Sequence, residues 1–257
     1  MLLITLKGIE KMNNNNATID KMKSMRLHGM AEAFRNLLST GNNAKLTTDE
    51  VISHLVDSEY DYKHNRKLQR LIKAARFRYQ ASFEDMDYSL ERNLDKNKLM
   101  RLSDCSWVLK GEDILITGPT GVGKSYIGTA LGYQACHYGY STGYYSSSRL
   151  FAEIKMSKSD GTYIKLINRI IKHSVLIIDD FGLEKLDDTG RMALLEIIEE
   201  FHRRKSVIIV AQIPVSLWHE TIGDPTIADA IMDRIVYNSH RIELKGDSVR
   251  RKLYGID

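Results

Sequence analysis

Cysteine is nearly missing from this chain of 257 residues: Cys105 and Cys136 are the only two, and no CxxC spacing joins them. That excludes a disulfide framework and the usual zinc-ligand patterns, and it fits a reducing compartment. Proline is also scarce, with three in the whole chain, none of them before Pro119. Between residues 17 and 105 the only glycines are Gly29 and Gly41. A stretch so poor in chain-breaking residues is predicted to be helical. No long apolar run occurs. The N-terminal "LLITL" is too short to span a bilayer and lacks the basic flank and cleavage site of a signal peptide. A cytoplasmic protein with no membrane partner is expected. Net charge is only +4, with 27% charged residues, so where the charge lies matters more than its sum.

Residues 1–16 end in "NNNN" and are read as a disordered leader, with Met12 as a second candidate start beside Met1. Residues 17–105 are read as a small all-α N-terminal domain. Ile19, Met22, Met25, Leu27, Met30, Phe34, Leu37 and Leu38 recur at helical spacing. "GNNAKLTTDE" reads as a loop, with Thr47 or Thr48 as N-cap of a second helix reaching "KAARFR". Negative charge is absent from residues 63–78, where Lys63, Arg66, Lys67, Arg70, Lys73, Arg76 and Arg78 make seven cations. Exposed helices usually mix signs for i,i+4 pairing. The unmixed run is a candidate DNA-phosphate surface; the alternative is an ordinary solvated face. Tyr60, Tyr62, Phe77 and Tyr79 flank it and are expected as core or rim residues.

From residue 113 the pattern changes to short apolar runs at 113–117, 142–147, 174–179, 206–211 and 240–244, with helical stretches between them. Such runs suit strands buried on both faces. The expected fold is α/β: a P-loop domain over residues 106–257 with a five-stranded parallel sheet.

One string in this region carries phosphate chemistry. "GPTGVGKS", residues 118–125, follows a predicted strand and precedes a predicted helix at 124–137. Glycines let successive N–H groups turn inward, and a helix N-terminus adds partial positive charge. Gly118, Pro119, Thr120, Gly121, Val122, Gly123, Lys124, Ser125 and Tyr126 are the candidate ATP-binding residues. Lys124 is expected on the β- and γ-phosphates and Ser125 on Mg²⁺. "VLIIDDFG" delivers Asp179 and Asp180 at the end of a buried strand. Asp179 is the second Mg²⁺ candidate. Asp180 is the candidate to orient or deprotonate water, with Glu184 as second choice. Gln212 ends the strand in "SVIIVAQIP" and can reach the γ-phosphate or the water.

The P-loop, "LIIDDFG", "AQIPVSLWHETIGDPTIADAIMDRIV", "HRIELKGDSVRRK" and the N-terminal "MRLHGMAEAF" and "RKLQRLIKAARFR" together resemble the IstB-like proteins over about residues 17–252. These are AAA+ ATPases that assist insertion-sequence transposases and are related to the DnaC helicase loaders and the DnaA initiator. The resemblance implies a sensor role for Gln212. It makes Arg234 an arginine finger acting on a neighbouring subunit's ATP, whereas the residues alone suggest a surface Arg paired with Asp229 or Asp233. It suggests Arg250 or Arg251 as sensor 2. It further implies a homo-oligomer with shared ATP sites on duplex DNA of low sequence specificity, and a cognate transposase as partner. A DnaC-like helicase loader is the alternative. Two departures from the AAA+ pattern stand out. Asp180 occupies a position often held by Glu, and only 23 residues follow Arg234, too few for a full helical lid. Both favour slow turnover and a switch over a fast motor.

Overall fold

A computed structural model describes residues 14–40 and 46–249. The chain separates into two units, with the division between Gln69 and Arg70.

The first unit begins with helix α1 (14–24). It closes in a turn in which Arg26 takes a left-handed φ of 61°. Leu27 N–H reaches back to Met22 C=O at 2.8 Å and Arg26 N–H to Lys23 C=O at 2.9 Å, which satisfies the last carbonyls. Helices α2 (His28–Thr40) and α3 (Thr48–Ala75) follow. Thr47 caps α3 as expected: its hydroxyl accepts from Glu50 N–H, while the Glu50 carboxylate accepts from Thr47 N–H at 2.7 Å. Gly29 sets the crossing of α2 on α3. A Cβ there would lie 2.3 Å from the Ser58 carbonyl oxygen, so only glycine lets the backbones approach this closely. Glu59 of α3, 4% exposed, accepts from Met30 N–H at 3.1 Å and pairs with Lys63 at 3.3 Å. An acid from one helix thus satisfies an orphan donor at the start of the other. Of the expected apolar stripe, Ile19 and Leu37 are buried, whereas Met25, beyond the end of α1, is exposed.

Two sequence expectations are corrected here. Residues 14–16, assigned to a disordered leader, are the first residues of α1; residues 1–13 lie outside the described residues. Helical structure does not continue to residue 105 either. After α3 the chain is irregular until α4 (Lys96–Leu102), and residues from Arg70 onward belong to the second unit. The physical reason is visible in the core: Ala81, Phe83 and Met86 of the irregular stretch are buried with residues of the sheet. No periodic stripe is needed when single apolar side chains plug one surface.

The second unit continues with α5 (Ser106–Lys110), β1 (Asp113–Thr117), α6 (Lys124–His137), β2 (Thr142–Ser146), α7 (Ser147–Ser159), α8 (Tyr163–Ile170) and β3 (Val175–Phe181). It ends with α9 (Asp188–Phe201), β4 (Ser206–Ala211), α10 (Trp218–Ile222), α11 (Pro225–Val236) and β5 (Ser239–Glu243). The five strands form a parallel sheet in the order β2-β3-β4-β1-β5, so all five expected strands are present. Their period-2 alternation divides the apolar runs between two cores. Leu115, Leu176, Ile178, Val207 and Ile209 join the cluster with α7–α11. Ile114, Ile116, Ile177, Ile208 and Val210 join the cluster with α6 and the stretch preceding β1. Burial of each such side chain contributes about 1.5–3 kcal/mol. Both cysteines are buried thiols, and burial pushes Cys105 up to about 12. Among the described residues no helix is long and apolar enough to cross a membrane.

Candidate nucleotide site

The strand order places β1 and β3 on either side of β4. The P-loop leaves β1 at the carboxyl edge of the sheet, where open α/β folds bind ligands. Its glycines adopt backbone angles closed to other residues, with φ of 87° at Gly121 and 93° at Gly123. Gly123 is the residue on which α6 starts, so the loop's N–H groups and the N-terminus of a 14-residue helix share one concave surface. Lys124 is 6% exposed and its ammonium donates to Pro119 C=O at 2.7 Å. Ser125 Oγ donates to Asp179 Oδ1 at 2.9 Å.

Asp179 is wholly buried at the end of β3. Burial raises its carboxyl above the usual range, opposed by the hydroxyl of Tyr144 and supported by the charge of Asp180. Asp180 itself has a φ of 58° and sits where the β3–β4 register shifts between Ile178 and Phe181. A bulge here re-aims a side chain, and Asp180 lines the cavity that the P-loop bounds. Gln212, just past β4, accepts from the Thr120 hydroxyl at 2.7 Å.

These groups surround one cavity of about 800 Å³. Thr120, Gly121, Gly123, Lys124, Ser125, Tyr126, Asp180 and Gln212 all line it. Glu184 is not among its walls. Arg234 is not either: its guanidinium donates to Ala230 C=O at 2.7 Å and pairs with Glu199 at 3.0 Å. The partner is therefore on α9, not Asp229 or Asp233, because those acids, five and one positions from Arg234, point off its side of the helix. Arg250 and Arg251 lie outside the described residues.

The cationic run is partly redistributed. Lys63, Arg66, Lys67, Arg70 and Lys73 are exposed residues of α3. Arg76 and Arg78 fall beyond its end, and Arg78 lines the nucleotide cavity. Phe77 and Tyr79 are rim residues as expected, stacked on Tyr133 at 4.5 Å and on Tyr126 at 6.2 Å.

Sequence reasoning missed a whole wall of the site. Tyr79, Met86, Asp87, Leu90 and Arg92 close the cavity. Arg92 is 6% exposed and donates to the P-loop carbonyl of Val122 at 3.0 Å and to Asp87 C=O at 2.7 Å; burial pulls its pKa down. The stretch after β5 braces the loop from another side, with Lys245 N–H on Arg92 C=O and Val249 N–H on Gly121 C=O, both at 3.0 Å. Neither segment carries a periodic pattern, so no local signal marked them.

The donor set fits a nucleoside triphosphate with magnesium. Among the described residues no cluster of three His, Cys, Asp or Glu forms a protein cage for a metal. One hydroxyl and one carboxylate converge instead, which is how proteins hold Mg²⁺ when phosphates and water supply the remaining oxygens.

Residues 20–254 match the model of the family described as IstB-like ATP binding protein. The chain belongs to that family. This IstB-like chain is 44% identical over 234 residues to a Sinorhizobium fredii protein named as an insertion-sequence ATP-binding protein, covering 91% of this chain and 96% of the relative. It is 35% identical over 200 residues to one named for the insertion sequence IS1162 in Pseudomonas fluorescens, covering 77% and 87%. Among solved structures, DnaI superposes with a TM-score of 0.56 at 23% identity, over 64% of this chain and 91% of that one. AMPPCP-bound DnaA from Aquifex aeolicus does so with 0.56 at 16% identity, over 70% and 55%. These superpositions show that the IstB-like chain shares the fold of DnaI and DnaA.

Proposed function

We propose that this protein binds ATP with Mg²⁺ at the P-loop, hydrolyses it slowly, and assembles on duplex DNA to help a transposase select and enter its target. The observation that carries the reading is the convergence of Lys124, Ser125, Asp180 and Gln212 on one cavity, with Asp179 hydrogen-bonded to Ser125 at 2.9 Å beneath it.

Lys124 and the loop N–H groups would hold the β- and γ-phosphates. Ser125 and Asp179 would hold the metal, which when bound neutralises charge on the transferring phosphoryl group. Asp180 would orient or deprotonate the attacking water. Its left-handed backbone aims it into the cavity, but its side chain is one methylene shorter than Glu, which favours slow turnover. Gln212, anchored by Thr120, would hydrogen-bond the γ-phosphate or the water.

Arg234 would serve a neighbouring copy's site after exchanging Glu199 for that copy's phosphate. Nucleotide would thereby join copies of the chain, and copies in register would add their weak α3 contacts into tight binding. Phosphate contacts from Lys and Arg carry little sequence information. Recruitment of the transposase rests on the resemblance to the IstB-like proteins and on relatives named for insertion sequences, not on any surface of this chain.

Sedimentation velocity with duplex DNA, Mg²⁺ and a non-hydrolysable ATP analogue tests the reading. The expected result is assembly beyond a single copy only when nucleotide and duplex are both present. A protein that stays solitary under those conditions overturns it. Preference for single strands over duplex would favour the helicase-loader alternative.

A further inference from the structure

The geometry points to Tyr144 as a positioning residue that holds the Asp179 carboxylate for magnesium. β2 pairs in parallel with β3, with Tyr144 opposite Ile177 and Ser146 opposite Asp179. Tyr144 therefore shares a sheet face with Asp179 two positions further along, a diagonal a tyrosine can span. Its hydroxyl donates to Asp179 Oδ2. The other oxygen, Oδ1, accepts from Ser125 Oγ and from Asp180 N–H, each at 2.9 Å. Phe77 packs edge-on against the Tyr144 ring at 6.3 Å.

The two side-chain donors to Asp179 differ in kind. Ser125 belongs to the P-loop, and its hydroxyl serves either the carboxylate or a metal ion. Tyr144 belongs to the sheet and has no such competing duty. It is a neutral donor, so it orients the carboxylate without cancelling the charge that attracts a cation. In a wholly buried position a carboxylate oxygen that loses its donor loses a strong charge-assisted bond. Hence Tyr144 sets how well Asp179 is prealigned for Mg²⁺, and it leaves the phosphate contacts of Lys124 untouched.

The inference rests on the reading of Asp179 as a magnesium partner. It is tested on the full chain by titrating a fluorescent ATP analogue in EDTA and across a Mg²⁺ series. Tyr144→Phe removes only the hydroxyl. The expected result is unchanged affinity in EDTA and a Mg²⁺ midpoint raised about tenfold, the loss of one hydrogen bond to a charged group. Phe77→Leu, which disturbs the same packing but not the hydroxyl, should leave the midpoint in place. Asp179→Asn should abolish the Mg²⁺ response, and Tyr144→Phe should add nothing to it. A wild-type midpoint in Tyr144→Phe overturns the inference. So does equal weakening in EDTA and Mg²⁺, or an equal shift from Phe77→Leu. If Asp179→Asn keeps a full Mg²⁺ response, the magnesium reading itself fails and takes the inference with it.

Discussion

The phosphate contacts proposed for the exposed face of α3 and for the P-loop region of the second unit differ in their physical means. On α3 the candidate contacts are long cations in water, Lys63, Arg66, Lys67, Arg70 and Lys73, each individually weak and replaceable. Around the P-loop the contacts are backbone N–H groups, a nearly buried lysine and a wholly buried carboxylate, each with a fixed neighbour. Exposed charge acts by summation and yields to salt. Buried, hydrogen-bonded charge acts by position and fails when one atom is missing. The difference teaches that the first surface suits a ligand of uniform repeat and the second a ligand of one shape.

The largest test of that contrast changes Lys63, Arg66, Lys67, Arg70 and Lys73 to Gln together. Duplex affinity at low salt should fall by about 10³-fold or more, and the slope of log K against log[salt] should shrink by about 4. Nucleotide affinity should not move. Filter binding across a salt series reads both, and a single substitution that matches the quintuple would break the picture of summation.

Next comes Arg234→Ala. Steady-state phosphate release should drop by about 10³-fold, with nucleotide affinity of the single copy retained. A turnover within a few-fold of wild type would return Arg234 to a plain partner of Glu199.

Lys124→Ala should weaken the fluorescent ATP analogue by about 10²-fold, the value of charge-assisted hydrogen bonds to phosphate. Duplex binding without nucleotide should persist, because the α3 cations are intact. Loss of both together would erase the distinction between the two regions.

Gly29→Ala sharpens the comparison from the structural side. The Cβ would sit 2.3 Å from the Ser58 carbonyl oxygen, and overpacking of this kind costs about 1–3 kcal/mol. Hydrogen exchange should rise in α2 and α3 while nucleotide affinity holds.

The effect that builds most gradually, one pH unit at a time, concerns Asp113, whose carboxyl burial raises to about 7 while the Val207 N–H bond opposes the shift. A folded pKa above the unfolded one favours the protonated form. Stability from this group is therefore fully present below about pH 4 and is lost as pH rises towards 7. Asp113→Asn keeps an acceptor for Val207 N–H and removes the titration. Relative to wild type it should gain roughly 1.4 kcal/mol of unfolding free energy for each pH unit between those values, read by denaturant melts at matched ionic strength. A constant difference across that range would exclude Asp113 as the titrating group.

The same contrast explains what could be read in advance. The phosphate cradle is contiguous, since glycine backbone angles, a helix start and a lysine must follow one another, so residues 118–125 were legible as a string. The strands were legible because burial on both faces demands unbroken apolar runs. Residues 76–95 were not, since an irregular segment plugs a core with single side chains and leaves no period. Nor were the clamps on the site: Arg92 meets Val122 across 30 residues and Tyr144 meets Asp179 across 35, the second pairing set by strand order.

By itself the sequence determined the nucleotide loop, the parallel α/β class, the capping of α3 and its cationic face, because each depends on neighbours within a few positions. Only the tertiary structure decided that Arg78 and Arg92 belong to the nucleotide cavity, that Glu199 holds Arg234, and that Tyr144 steadies Asp179. Those contacts arise when segments distant in the chain become adjacent in space, and hydrogen bonding acts over ångströms of space rather than positions in a string.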